Sequence, residues 1–358
     1  MQQIIPKVTI EGREVDFIQV SYAQPGVLSA ATLSFSIPLS VAGTESLWNK
    51  EVTFFVSKSD SKPIFRGWIN RTKKDFNQVQ VMAEDAFGYM LKGGDTSLAE
   101  VVLDKRENID GLTAGAAIIK LLKMSELSDK VGTDFIGDTS PVVGSVQKEP
   151  IRGTLKVLDV IKRLLSKPIY LADQDLPRPN IAKLIDDGSK SQLVIELQSS
   201  LTGDIPNRPE PFVKYVYTPE NNITSLNITD RKVPTIVVVE GAKGVKGTFK
   251  HDGAITALDR TYLKVKNENL DSPAACKEFG ARLYQANLSN RYEYKIGVTE
   301  GFYLMENDVI RVETEDSDFS GNYRIVGKNI SFGATMALNL VINKKPPTLA
   351  EYISSRDN

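Results

Sequence analysis

The stretch Phe65–Leu91, "FRGWINRTKKDFNQVQVMAEDAFGYML", decides how the chain is read. Its first part, "PIFRGWIN", and its second, "NQVQVMA", flank a charged turn, which predicts a β-hairpin. In the second arm Val79 and Val81 alternate with Gln78 and Gln80, the period of a half-buried strand. Asp85 then stands where a helix N-cap belongs, because a carboxylate accepts the N–H groups that a first turn leaves open. Phe87, Met90 and Leu91 follow at helical spacing and are expected to lie across an end of the sheet. Glu84 and Asp85 can also be read as an acid–base pair, but adjacent strand residues point to opposite faces. Arg71, Lys73 and Lys74 form a candidate basic stripe, which a solvated turn explains more simply.

The flanking sequence repeats the strand pattern. "TLSFSIPL" places Leu33, Phe35, Ile37 and Leu39 on one face and Thr32, Ser34 and Ser36 on the other. "EVTFFVSKS" does the same with Val52, Phe54 and Val56, and Pro38 marks a strand edge or exit. The middle changes to helical stripes. "LTAGAAIIKLLKM" aligns Ala114, Ala117, Ile118, Leu121 and Leu122 behind a Thr113 cap. "GTLKVLDVIKRLLSKP" aligns Leu155, Leu158, Ile161, Leu164 and Leu165, with Thr154 as cap and Pro168 as stop. Asp173–Pro211 reads as a long loop-bearing connector broken by one strand, "SQLVIELQ".

From Phe212 the β pattern returns in "FVKYVYT", "NNITSLNITD" and "PTIVVVEGA". "LDSPAACKEFGARLYQANL" is a helix with Ser272 as cap and Pro273 at the first position. Then come "RYEYKIGVTE", "NDVIRVET", "GNYRIVGKNISF" and "TMALNLVINKK", the last with Met336, Leu338, Leu340 and Ile342 on one face. Each β block ends in a hairpin-like pair, so the two blocks can share an architecture. The expected class is α+β, mostly β: two antiparallel β-barrel-like domains with an α-containing middle region. The expected bounds are 1–95, 96–211 and 212–345, with a tail at 346–358.

The residues that could carry chemistry are few. A single cysteine, Cys276, and a single histidine, His251, exclude an internal disulfide framework and a Cys/His zinc site. His251 stands beside the turn signal Asp252-Gly253, as a solvated strand end would. Cys276 falls on the Pro273 helix, where a cysteine serves as a small apolar residue. The acidic run Glu313–Gly321 lacks the ordered ligand plan of a Ca²⁺ loop. "GAKGVKGTF", Gly241–Phe249, has neither P-loop nor dinucleotide-binding glycine spacing. No catalytic, cofactor-binding or metal residue is nominated. A formal net charge of −1 gives no bulk pull toward nucleic acid or anionic lipid. No secretory leader or bilayer-spanning run stands out, so folding in a cytoplasm is expected.

Five segments together resemble the baseplate hub proteins of bacteriophage tails and related contractile injection machines. They are "SYAQPGVLSAATLSFSIPLS", "IFRGWINRTKKDFNQVQVMAEDAFGYMLKGG", "RGTLKVLDVIKRLLSK", "TSLNITDRKVPTIVVVEGA" and "FYLMENDVIRVETEDSDFSGNYRIVGKNISF". The resemblance implies a ring-shaped homotrimer whose two similar β-barrel domains per copy give a pseudo-sixfold outline. Such a ring adapts a sixfold tail tube to a threefold spike and leaves a channel through which DNA passes without specific binding. It implies a place in the virion tail after assembly in the host cytoplasm, no cofactor and no membrane insertion of this chain. It carries over no catalytic residue. Two other readings stand beside it. One is a cell-wall or glycan hydrolase using paired carboxylates. The other is a receptor- or glycan-binding module using Tyr215, Tyr217, Tyr292 and Tyr294.

Overall fold

Alternating apolar residues build most of the described strands into one sheet. A computed structural model describes residues 4–26, 29–42, 46–91, 100–104, 106–125, 127–136, 151, 153–165, 180–197, 213–230, 232–251, 260–266, 270–289, 292–315 and 319–343. The first block holds β1 (Lys7–Ile10), β2 (Arg13–Val15), β3 (Gln19–Gln24), β4 (Thr32–Pro38), α1 (Leu39–Ala42), β5 (Glu51–Phe55), β6 (Phe65–Lys74), β7 (Gln78–Glu84) and α2 (Ala86–Leu91). The middle holds β8 (Glu100–Leu103), α3 (Ala114–Met124), β9 (Val131–Gly132), β10 (Gly153–Lys156), α4 (Val157–Leu165), β11 (Asn180–Asp186) and β12 (Ser191–Leu197). The last block holds β13 (Val213–Tyr217), β14 (Ile223–Asp230), β15 (Ile236–Glu240), β16 (Lys246–Lys250), β17 (Tyr262–Lys266), α5 (Pro273–Ser289), β18 (Tyr292–Val298), β19 (Val309–Val312), β20 (Gly321–Phe332) and β21 (Met336–Asn343).

The two β blocks repeat one another. In the first the strands lie in the order β3-β4-β7-β6-β5-β1, in the second β14-β18-β21-β20-β19-β13. Taken in chain order, these are the same six positions, with β2 added in one block and β15, β16, β17 and α5 inserted in the other. Registers match as well. Trp68 pairs with Glu51 and Phe65 with Phe54, just as Arg324 pairs with Val309 and Gly321 with Val312. The hairpin of each block slips by a bulge at the same place, after Ile69 and after Ile325. One difference is direction: β1 runs antiparallel to β5, whereas β13 runs parallel to β19.

The blocks are joined through β20. Its Gly321–Arg324 half pairs with β19, and its Lys328–Phe332 stretch pairs antiparallel with β3 of the first block. Both partners lie on the edge opposite β21. At the handover, Gly327 lacks a side chain because a Cβ there would come within 2.9 Å of the Gln24 carbonyl oxygen. The result is a 13-stranded sheet rather than two separate closed barrels; no pairing among the described residues closes either block on itself. The chain is α+β and mostly β, as expected. One hydrophobic cluster runs through both blocks, from Val8, Leu33 and Phe54 to Tyr217, Ile310 and Ile342.

A second core gathers the α2, α3 and α4 stripes with Trp68 and strands β8, β11 and β12. Thr113 Oγ1 accepts the Ala116 N–H at 3.3 Å, capping α3. An ion pair and a hydrogen bond clamp this unit to the two blocks. Arg66 on β6 reaches Asp186 on β11 at 2.6 Å, and Asn307 Nδ2 donates to Glu196 on β12 at 2.7 Å. A third, small core lies between α5 and β15-β16, with Cys276 fully buried beside Val237 and Val239.

Several sequence expectations need correction. Thr154 does not cap α4: it lies in β10, paired with Val102, and the helix begins at Val157. Leu39 is not on the β4 face; the strand ends at Pro38, and Leu39 opens α1 exposed to solvent. Met336 lies at the tip of β21 and is exposed, unlike Leu338, Leu340 and Ile342. The connector holds a second strand, β11, fully paired with β12. Pro168 and the Asp252-Gly253 turn fall outside the described residues.

Candidate functional site

Two features of the sheet stand out: a buried charge cluster where the blocks meet the middle unit, and a polar trough on the wet face. In the cluster, Asp85 follows β7 and caps α2, its Oδ1 accepting the Gly88 N–H at 3.2 Å. Burial pushes its carboxyl up to about 7, against hydrogen bonds from the Ala31, Gly88 and Phe87 backbones that favour the ionised form. Glu306 lies in the turn before β19. Burial, and then the charge of Asp85, push it up to about 8, opposed by Lys183 and Lys328. Its Oε1 has no hydrogen-bond partner among the described residues, as suits a protonated acid. Lys328 on β20 is wholly buried and donates to the carbonyls of Phe302 at 3.1 Å and Leu304 at 2.7 Å. Burial lowers its amine to about 8. Burial likewise raises the Tyr22 hydroxyl, which donates to Gln24 at 3.1 Å. Beside Asp85 lies a small, partly open pocket of about 30 Å³. That is room for a water or two, not for a sugar ring.

The trough has a volume of about 660 Å³ and crosses β20, β3, β4, β7 and β6 on the face away from the shared core. Strand alternation puts Gln19, Ser21, Ser34, Ser36, Gln80 and Ser331 there, with Arg71 and Lys73 at one side. Among the described residues no carboxylate lines it.

The residues singled out in the sequence do not converge. Arg71 and Lys73 flank the trough, and Lys74 ends β6 exposed. His251 is exposed and stacks on Tyr284 with centroids 4.9 Å apart. Cys276 is sealed in the small core. In "GAKGVKGTF", Gly247 serves helix packing, since a Cβ would meet the backbone of Lys277 and Pro273 at 2.5–2.6 Å. Glu313 pairs with Arg311 at 2.9 Å, and residues 316–318 of the acidic run fall outside the described residues. Tyr217 is buried and donates to the Glu300 carbonyl at 2.9 Å, with Tyr215 packed beside it and bonded to the Glu300 carboxylate. Tyr294 packs on Phe319 and Tyr323; the Tyr292 side chain is outside the description. Among the described residues, no three His, Cys, Asp or Glu side chains gather as metal ligands, and no helix is long and apolar enough to cross a membrane.

Sequence reasoning missed Glu306 and Lys328. In a linear reading both look like solvated charges, and only the junction of the two blocks buries them. The repeat left one signal: "LWNKEV" and "MENDVI" align, with Asn49 and Asn307 in the same left-handed conformation.

No protein-family model matches the chain, and no curated protein sequence does. Solved structures do. The tail protein from Neisseria meningitidis MC58 superposes with a TM-score of 0.61 at 11% identity, over 97% of this chain and 98% of that one. The 43 kDa tail protein of prophage MuSo2 from Shewanella oneidensis gives 0.61 at 12% identity, over 98% of both chains. An Escherichia coli component of the type VI secretion system, described as similar to the T4 bacteriophage tail proteins gp27 and gp5, gives 0.52 at 14% identity. That match covers 95% of this chain and 77% of the other. The chain therefore has the fold of phage tail proteins along almost its whole length.

Proposed function

We propose that this chain is a structural hub of a phage tail baseplate or tail tip. The carrying observation is the duplicated six-strand unit fused into one sheet. A chain with two equivalent units presents six in a ring of three copies. Such a ring can meet a sixfold tail tube on one side and a threefold spike on the other. Residues 1–95 and 212–345 are the ring-forming units, 96–211 the middle region and 346–358 a tail. The Ser- and Gln-rich trough lines the central bore, where DNA slides past without specific contacts. The partners are other copies of the chain, a spike or puncturing protein, and tube or distal-tail ring proteins. The chain works in the virion after assembly in the host cytoplasm.

Light scattering tests this reading: the purified chain should run at three times the mass of one copy, and particle images should show a threefold ring with a central hole. A chain that stays monomeric at high concentration, and does not assemble when spike protein is added, overturns it. The hydrolase reading has one observation in its favour, the raised carboxyls of Asp85 and Glu306. Their burial and the pocket of about 30 Å³ beside Asp85 weigh against substrate access. No clearing is expected on a cell-wall zymogram; clearing that disappears in Asp85→Asn or Glu306→Gln would reverse the ranking.

A further inference from the structure

The repeat makes a specific demand on the sheet edges. Within one chain, the first block's β3 pairs with the second block's β20, setting Val20 opposite Phe332 and Tyr22 opposite Ile330. These four side chains are only 2%, 8%, 4% and 1% exposed. The strand equivalent to β3 in the second block is β14, and the strand equivalent to β20 in the first is β6. Among the described residues, β14 pairs only with β18, and the Arg71–Lys74 half of β6 pairs only with β7. Matching registers place Leu226 at the position of Val20 and Ile228 at that of Tyr22. Counting on from the shared bulge places Lys74 at the position of Ile330 and Phe76, just past the end of β6, at that of Phe332. The counterparts are uncovered: Leu226 is 40% exposed, Ile228 52% and Phe76 91%.

We infer that β14 of one copy pairs antiparallel with the Arg71–Lys74 half of β6 in the next copy, repeating between chains the junction that joins β3 to β20 within each chain. The pairing rests on the ring reading and says which edges make the ring. Two observations and one symmetry argument support it. An edge strand usually carries a lysine, a proline or a bulge that blocks further pairing. β14 has no lysine or proline, its one register shift lies at its start between Ile223 and Ser225, and its Ser225–Asp230 stretch shows two apolar side chains to solvent. The two edges are also complementary in charge: β14 has no basic residue and ends in Asp230, whereas this half of β6 carries Arg71, Lys73 and Lys74. Finally, the contact is heterologous, so the rotation between the two blocks of one chain recurs at each step, and a ring forms where that rotation divides a full turn. The register is fixed: Thr229 faces Lys73 and Asp230 faces Thr72, as Ala23 faces Asn329 and Gln24 faces Lys328. Phe76 covers Leu226, and the aliphatic stem of Lys74 covers Ile228. The hydroxyl and amide side chains of Ser225, Asn227 and Thr229 continue the wet face of the trough.

The test mixes two single variants of the full-length chain, Lys73→Cys and Thr229→Cys, with a short thiol-to-thiol linker; the native Cys276 is buried and the unmodified chain is the blank. Opposed strand residues have Cβ atoms about 5 Å apart, within reach of the linker. The expected result is a cross-linked pair that contains one chain of each kind and appears only in the mixture. Phe76→Asp and Ile228→Asp should each reduce the oligomer to single chains without moving the unfolding midpoint of the monomer, whereas Phe135→Asp, on an exposed residue of the middle unit, should leave it intact. A stable oligomer that gives no cross-link and survives both edge variants overturns this pairing and leaves the hub reading standing. A cross-link that forms only within a chain carrying both cysteines assigns the edge to the chain itself and also overturns it. A chain that is monomeric throughout overturns both.

Discussion

Asn49 and Asn307 show how much one residue's backbone carries. Each adopts a positive φ, 60° and 71°, and each donates its N–H to the isoleucine that precedes the hairpin bulge. The left-handed conformation costs most side chains about 1–2 kcal/mol, and asparagine less. Asn307→Ala should therefore lose about 1–2 kcal/mol in a urea titration. Asn307→Gly should recover most of that loss, keeping the backbone but not the Nδ2 bond to Glu196. Equal losses for Ala and Gly would show that the bond to Glu196, not the backbone, is what counts. The charge cluster sets the response to pH. A carboxyl whose native value lies above its unfolded one favours the native state in acid. That contribution fades as pH rises through about 7 for Asp85 and about 8 for Glu306. Lys328, lowered to about 8, does the reverse: its contribution is full above the ordinary lysine range and fades as pH falls through about 8. Their sum gives a stability minimum near pH 8. Glu306→Gln should raise the denaturation midpoint more at pH 8 than at pH 5, and an equal shift at both would reject the assignment. None of these three was legible as a buried charge, because burial is decided by residues far away in the chain.

At the scale of elements, the strand patterns located β4 to β7, β13, β14 and β18 to β21 of the main sheet, because one face of that sheet is wet and the other packed, but did not single out β1, β2 or β3. Three further misreadings are informative. β11 was hidden inside a Pro- and Asp-rich connector. The Thr154 segment looked like a helix start until pairing with β8 drew it into a strand. The Met336 end of β21 runs past the core that buries the rest of its face. Glycines mark where elements touch. Gly327 lets β20 pass from β19 to β3, and its Cβ would press on the Gln24 carbonyl. Gly327→Val should destabilise the chain by about 1–3 kcal/mol. Amide exchange should show the loss first at the β20–β3 pairs; protection there equal to that of the β20–β21 pairs would argue against a local cause. Gly247→Val should loosen α5 from β16 and expose Cys276 to thiol reagents, while the main sheet keeps its protection.

At the scale of the whole molecule, the two blocks share one hydrophobic cluster and one sheet, so they should unfold together. Phe54→Leu in the first block and Ile310→Ala in the second should lower the same calorimetric transition; two separable transitions would mean that the junction is weak. The sequence by itself determined the mostly-β class, the helical middle, the caps at Asp85, Thr113 and Ser272, and the scarcity of reactive groups. These depend on local periodicity and on counting residue types, which need no knowledge of distant neighbours. Tertiary structure alone decided three things: that the blocks are repeats, that β20 fuses them, and that Asp85, Glu306 and Lys328 meet inside. Each depends on which strand lies beside which. That information lies in hydrogen-bond register and burial, which join residues far apart in the chain and leave no local pattern to read.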